Sequence, residues 1–355
     1  GYRGIGFKSV AGIASRVHLI SGDLEATFDR ELTRRDVGGD GDTPLIRIPH
    51  AMALNGESQV LRHATDLVQS GFNTVFILDG LDRIAVEEEL VAFDSDYLIF
   101  LRNVEGVDIA TPTGQSRYSC ARQPAKEGLT ISTTSPTGTM KWWVTQQHGT
   151  AAACLMDNGI PVALKGDQAY AHAFLPTQEI TGLGLRLNAD FSTDPSRTRI
   201  VLDDVTERCI VQCVSLLSDL TMGAIKTDDS FARGLIAAVT PTVDINLIGL
   251  QRKRFSTELI SIWADRLREL TAGIDLAPRW IPTQDASALG GRKGIAGRVL
   301  PHPSAEGSAK PGALPALLQA IGKRPLPHAA AASAVLEGGM SIDANAQTVA
   351  LAVRN

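Results

Sequence analysis

The stretch that most constrains this chain is its first: Gly1-Tyr2-Arg3-Gly4-Ile5-Gly6-Phe7-Lys8-Ser9-Val10. Three glycines spaced by three and two residues describe a backbone built to approach something closely. Glycine has no Cβ, so its amide can turn toward an anion and positive φ is cheap. Residues 7–14 contain no proline and predict a short helix, whose first N–H groups would add to an anion site. Two phosphate motifs nearly fit. The P-loop pattern fails because Phe7 stands ahead of Lys8-Ser9, and the Rossmann pattern fails because Ser9 stands in the third glycine place.

The run GYRGIGFKSVAGIASRV resembles the glycine box of the ATP lid in the GHKL ATPases: gyrase, the heat-shock chaperones, histidine kinases and MutL. It is closest to the chaperone form, G-x-x-G-[VI]-G-F, followed by a small-residue helix and an Arg-Val that opens a strand. Gly1, Gly4, Gly6, Phe7, Ser9, Ala14, Arg16 and Val17 hold those places. The resemblance implies that the backbone of Gly1, Gly4, Ile5, Gly6, Phe7, Lys8 and Ser9 closes over the phosphates of ATP.

A second constellation lies in AFLPTQEITGLGLRLNADFSTDPSRTRI, residues 173–200. Asp194-Pro195 predicts a turn that presents Arg197 and Arg199 after a buried strand. A planar guanidinium held by a rigid turn suits a phosphate, which it can grip with two parallel hydrogen bonds. The plainer reading pairs either arginine with Asp190, Asp194 or Asp203. With the glycine box, the order F-L-P-T-x-E, N-A-D-F, P-S-R is similar to bacterial proteins with a sacsin-type ATP-binding region, the kind that includes NO VEIN. The resemblance spans residues 1–225 and implies that Arg197, in the Ser-Arg dipeptide, reaches the γ-phosphate as a catalytic residue, with Arg199 its rival. It also implies Mg²⁺, held by a helix bearing a catalytic Glu and a metal-binding Asn, and a D-x-G-x-G loop that reads adenine. Neither motif occurs here, and Asp79-Gly80 follows a strand downstream of the box. A chain that opens inside a motif is expected to be part of a longer protein.

The expected architecture is α/β: the remainder of a GHKL sandwich over 1–112, a transducer-like α/β domain over 113–225, and a helical extension over 226–355 with a flexible linker at 282–313. The first boundary rests on Thr111-Pro112-Thr113-Gly114, where helical spacing gives way to successive strands. Residues 16–20 and 23–29 predict a hairpin turning at Ser21-Gly22. Helices are expected at 57–70, 82–101, 203–221, 254–273, 314–322 and 329–337. Residues 33–44 read as a solvated loop, since Asp36, Asp40 and Asp42 miss the other positions of a calcium loop.

With aromatics at only 5%, the cores must be aliphatic. A net charge of −5 without a basic block argues against a nucleic-acid face. No unbroken apolar run approaches the roughly 18 residues of a membrane span. Cys120, Cys154, Cys209 and Cys213 form no C-x-x-C and read as buried thiols, which implies a reducing cytoplasm. The implied partners are ATP and a protein client, with a homodimer possible. The alternatives from other classes are a degenerate module that has lost hydrolysis and a nucleic-acid-linked GHKL machine of the MutL or MORC kind.

Overall fold

The computed structural model describes residues 13–38, 45–46, 48–52, 58–125, 128–227, 229–245, 253–292, 294–305 and 312–337. It has mixed α and β content, and the chain divides into two compact units, Gly1–Phe93 and Asp94–Asn355.

In the first unit β1 (Arg16–Ser21) and β2 (Leu24–Asp29) form the expected hairpin. The turn is Gly22-Asp23, one residue later than expected, with Gly22 at φ +57°. The short β3 (His50–Ala51) and β4 (Thr74–Asp79) complete an antiparallel sheet of order β3-β2-β1-β4. Helix α2 (Gln59–Gln69) closes one face through Ile20, Ala64 and Val75; Ala14, Val17 and Leu45 cluster separately.

Two expectations change here. Residues 30–37 are a helix, α1 (Arg30–Val37), where a loop was expected from 33 onward. Asp29 caps it, accepting from the amides of Glu31 at 2.7 Å and Leu32 at 3.1 Å, and Gly38 ends it at φ +65°. The helix expected over 82–101 stops early: α3 spans Arg83–Val91, and a 3₁₀ turn follows at Ser95–Leu98. Asp94 accepts from the Asp96 amide and so starts that separate turn. Glu87, Glu88 and Glu89 fall in the second half of α3, whose N-terminal cap is Asp82.

The second unit is built on a long, mostly antiparallel sheet of order β12-β11-β13-β9-β8-β7-β6-β5, with β10 paired beside β9. Its strands are β5 (Gly106–Thr111), β6 (Gly114–Ala125), β7 (Gly128–Ser135), β8 (Gly138–Gln147), β9 (Thr150–Asp157), β10 (Ile160–Val162), β11 (Tyr170–Ala173), β12 (Leu175–Ile180) and β13 (Arg186–Asn188). Thr111-Pro112-Thr113-Gly114, expected as a domain boundary, is the turn between the paired strands β5 and β6. The compact units divide nineteen residues earlier, at Phe93/Asp94, and β5 belongs to the second unit through its ladder with β6.

Strand pleating sorts the sheet's side chains. Trp143, Ala152, Cys154 and Leu187 join a core with α4 (Asp204–Thr227), α5 (Ser230–Val239), α6 (Phe255–Leu270) and α7 (Ala313–Ala320). The described residues of α5, α6 and α7 therefore do not form a separate extension: they share one apolar cluster with α4 and the sheet. Nor are the described residues of 282–313 a flexible linker. Ala286, Leu289 and Val299 are at most 1% exposed, and β15 (Arg298–Leu300) pairs in parallel with β14 (Ile274–Leu276). The glycine content serves close backbone approach: a Cβ on Gly297 would lie 2.3 Å from the Gly273 carbonyl oxygen. A final helix, α8 (His328–Glu337), packs on this region through Ala334 and Val335.

All four cysteines are free and buried. Among the described residues α4 alone is long and apolar enough to cross a membrane, and half of its most apolar window is buried inside the fold. That apolarity faces the sheet through Cys209, Ile210, Cys213 and Leu217.

Candidate functional site

Gly1, Gly4, Ile5, Gly6, Phe7, Lys8 and Ser9 lie outside the described residues. The strand that leaves the glycine box is pinned at its start. The Ser15 amide and hydroxyl both donate to the Asp79 carbonyl, at 2.9 and 3.1 Å. Gly80 permits this approach, since a Cβ there would lie 2.1 Å from the Ser15 hydroxyl oxygen. Along the same face of β1, Arg16 pairs with Asp29, and His18 bridges Thr27 Oγ1 at 2.8 Å and Asp79 Oδ2 at 3.4 Å. Burial lowers the His18 pKa, outweighing the carboxylate of Asp79. Asp79-Gly80 is thus a structural anchor for β1.

The second constellation assembles in one place. Phe174, at φ +68°, donates its amide to Asn188 Oδ1 at 2.8 Å, which joins F-L-P-T to N-A-D-F. The Gln178 amide donates to the Thr198 carbonyl at 2.7 Å, which joins the same strand to the P-S-R loop. Asp194 organises that loop. Its Oδ2 accepts from the hydroxyls of Ser196 at 2.6 Å and Thr198 at 3.2 Å, its Oδ1 from the Arg199 amide at 3.1 Å, and its carbonyl from the Arg197 amide at 3.0 Å. The Ser196 hydroxyl foremost, with the Arg199 amide next, holds this carboxyl below its ordinary pKa. Thr193 and Ile200 bridge the base of the loop.

The two arginines then differ. Arg199 lies 3.8 Å from Glu179, an ion pair the sequence reading did not name. Arg197 sits at φ +60°, a left-handed conformation uncommon for a residue with a side chain. Among the described residues its guanidinium has no ion pair and no hydrogen bond. The loop therefore offers a partly exposed guanidinium, unpaired among the described residues, on an internally bonded frame with Arg197 at positive φ. Its chemistry is that of an anion receptor with a fixed fork of donors.

A third cluster had escaped the sequence reading. Arg186, 3% exposed, lies between the rings of Trp142 and Tyr170 at 4.7 and 4.6 Å and pairs with buried Asp96 at 2.7 Å. Burial raises the Asp96 carboxyl although Arg186 pulls it down. His172 is fully buried against the edge of Phe100, and burial, helped by Arg186, pushes its pKa down to about 3. The one available signal was the charge in the apolar strand Leu185-Arg186-Leu187, since a buried strand carries a guanidinium only when something pairs with it.

Among the described residues no group of three or more His, Cys, Asp or Glu could hold a metal ion. Comparison with protein-family models, curated proteins and solved structures finds no match to this chain.

Proposed function

We propose that this protein is a cytoplasmic ATP-binding and ATP-hydrolysing protein of the GHKL kind, with a sacsin-type nucleotide region, which turns lid closure into a conformational change acting on a protein client. In this reading the amides of residues 1–9 wrap the phosphates with Mg²⁺, and Arg197 stabilises charge on the transferred phosphoryl group. Such a role asks for a donor already in place, which need not reorganise as charge develops. The observation that carries the reading is the P-S-R loop. Phe174 and Asn188 lie 14 residues apart, yet the amide hydrogen bonds of Phe174 and Gln178 bring the parts together, and Asp194 bonds the loop internally, around an arginine whose guanidinium has no partner among the described residues.

The test is ATP titration of the full-length protein by calorimetry, with Gly6→Val as the control. ATP should bind the native protein and not the variant, whose branched side chain would stand where amides meet phosphate. Binding unaffected by Gly6→Val removes the lid assignment, and no binding by the native protein removes the nucleotide reading. Binding without turnover would favour the interaction module.

A further inference from the structure

Residues 94–104 cross the face of the long sheet opposite the helices, directly after the division between the two units. Leu98, Ile99 and Phe100 are buried there at 1%, 2% and 6% exposure. Two arginines of the sheet hold the segment. Arg122 donates to the carbonyls of Leu98 at 2.9 Å, Leu101 at 2.6 Å and Val104 at 3.2 Å. Arg186 pairs with Asp96 at 2.7 Å and donates its Nε to the Gln168 carbonyl at 3.1 Å.

The hold is incomplete. Among the described residues, Asp96 Oδ1 and Arg186 Nη1 are buried without a hydrogen-bond partner, and His172 is fully buried beside Arg186. A buried polar atom that loses water and gains nothing weighs against the closed state, and a half-satisfied polar network is weaker than an apolar one. These atoms share one neighbourhood: Arg186 acts electrostatically on both Asp96 and His172, and Tyr170 lies against Arg186 and His172. Opening the segment would return all of them to water. By contrast, the helix side of the sheet is an apolar cluster built from Leu185, Leu187, Ile210 and Leu217, each fully buried.

We propose that residues 94–104 are a strap that releases from the sheet as a unit, with the Asp96–Arg186 pair as its latch, while the helix side stays folded. The strap leads the chain out of the first unit, so its release changes the length of free chain between the units. The inference does not depend on the nucleotide reading.

Hydrogen exchange tests it on the intact protein. The amides of Ile99, Leu101 and Val104, each bonded within the strap, should exchange in the native protein on the order of a hundredfold faster than the buried stretch of α4. Asp96→Asn strands the Arg186 charge and should speed strap exchange roughly tenfold more while leaving α4 unchanged. The double variant Asp96→Leu, Arg186→Met removes the orphaned Asp96 and Arg186 atoms together with their charges and should slow strap exchange below the native rate. Strap and α4 exchanging together in the native protein would overturn the proposal. So would a double variant that opens as fast as Asp96→Asn. The native comparison stands even if a variant fails to fold.

Discussion

Removing the Arg197 side chain should separate function from stability. Arg197 has no ion pair and no hydrogen bond from its guanidinium among the described residues. Arg197→Ala should therefore change unfolding free energy by no more than about 0.5 kcal/mol, the usual range for a surface position with no special contact. Arg197→Gly should be stabilising. A side chain in the left-handed region costs about 1–2 kcal/mol, and the freedom glycine gains in the unfolded chain takes back about 0.5–1 kcal/mol. A net gain between about 0 and 1.5 kcal/mol remains for a residue at φ +60°. If the guanidinium meets a transferring phosphoryl group, both variants of the full-length protein should lose turnover by about 10²–10³, or roughly 3–4 kcal/mol of transition-state stabilisation, with little change in ATP binding. Arg197→Lys should rescue poorly, since an ammonium cannot reproduce the fork. Arg199→Ala is the matched control: its long pair with Glu179, exposed on the arginine side, is worth about 1 kcal/mol or less. Urea unfolding followed by tryptophan fluorescence, with steady-state ATPase assays on the same preparations, reads both quantities. The reasoning is refuted if Arg197→Ala unfolds more than about 1 kcal/mol more easily while turnover is kept. Turnover lost only in Arg199→Ala would move the role two residues along.

Two further outcomes follow from the packing. Burial raises the Asp29 carboxyl, but the amides of Leu32 and Glu31 and the Arg16 guanidinium outweigh it and hold the pKa below its ordinary value. A carboxyl lowered in this way stabilises the fold above its unfolded pKa, near 4, and that stability is lost as pH falls below it. Asp29→Ala should thus cost about 1 kcal/mol at pH 7 through the lost cap of α1, and flatten the acid limb of the first unit's unfolding curve; an unchanged acid limb would show that the cap is not what titrates. Gly234→Ala, in α5, places a Cβ 2.2 Å from the Pro161 carbonyl oxygen, backbone against backbone. It should lower stability by about 1–3 kcal/mol despite alanine's better helix propensity, and thermal unfolding at or above the native midpoint would contradict the packing of α5 on β10.

The amino-acid sequence by itself determined what depends on neighbours along the chain. The β1–β2 hairpin and the helices α2, α4, α6, α7 and α8 follow from local period and punctuation, and most of their ends lie within three residues of those expected. Helix α1 was legible in principle, because Asp29 is a strong cap, but a run of charges masked it. In the second constellation the chain could name the residues, since Pro195 fixes the turn locally. Tertiary structure decided what needed distance. Nothing in the spacing says that Arg199 meets Glu179 while Arg197 meets no described partner, because that depends on how β12 lies beside the loop. Asp96, the pair Tyr170 and His172, and Arg186 come from three separate segments, and only the tertiary fold, with β11 beside β13 in the sheet, places them together. Likewise 282–313 has the composition of a linker, yet the glycines at 290 and 297 are needed where backbones touch. Composition reports how freely a residue could move, and only the packed neighbours decide whether that freedom is used for motion or for close approach.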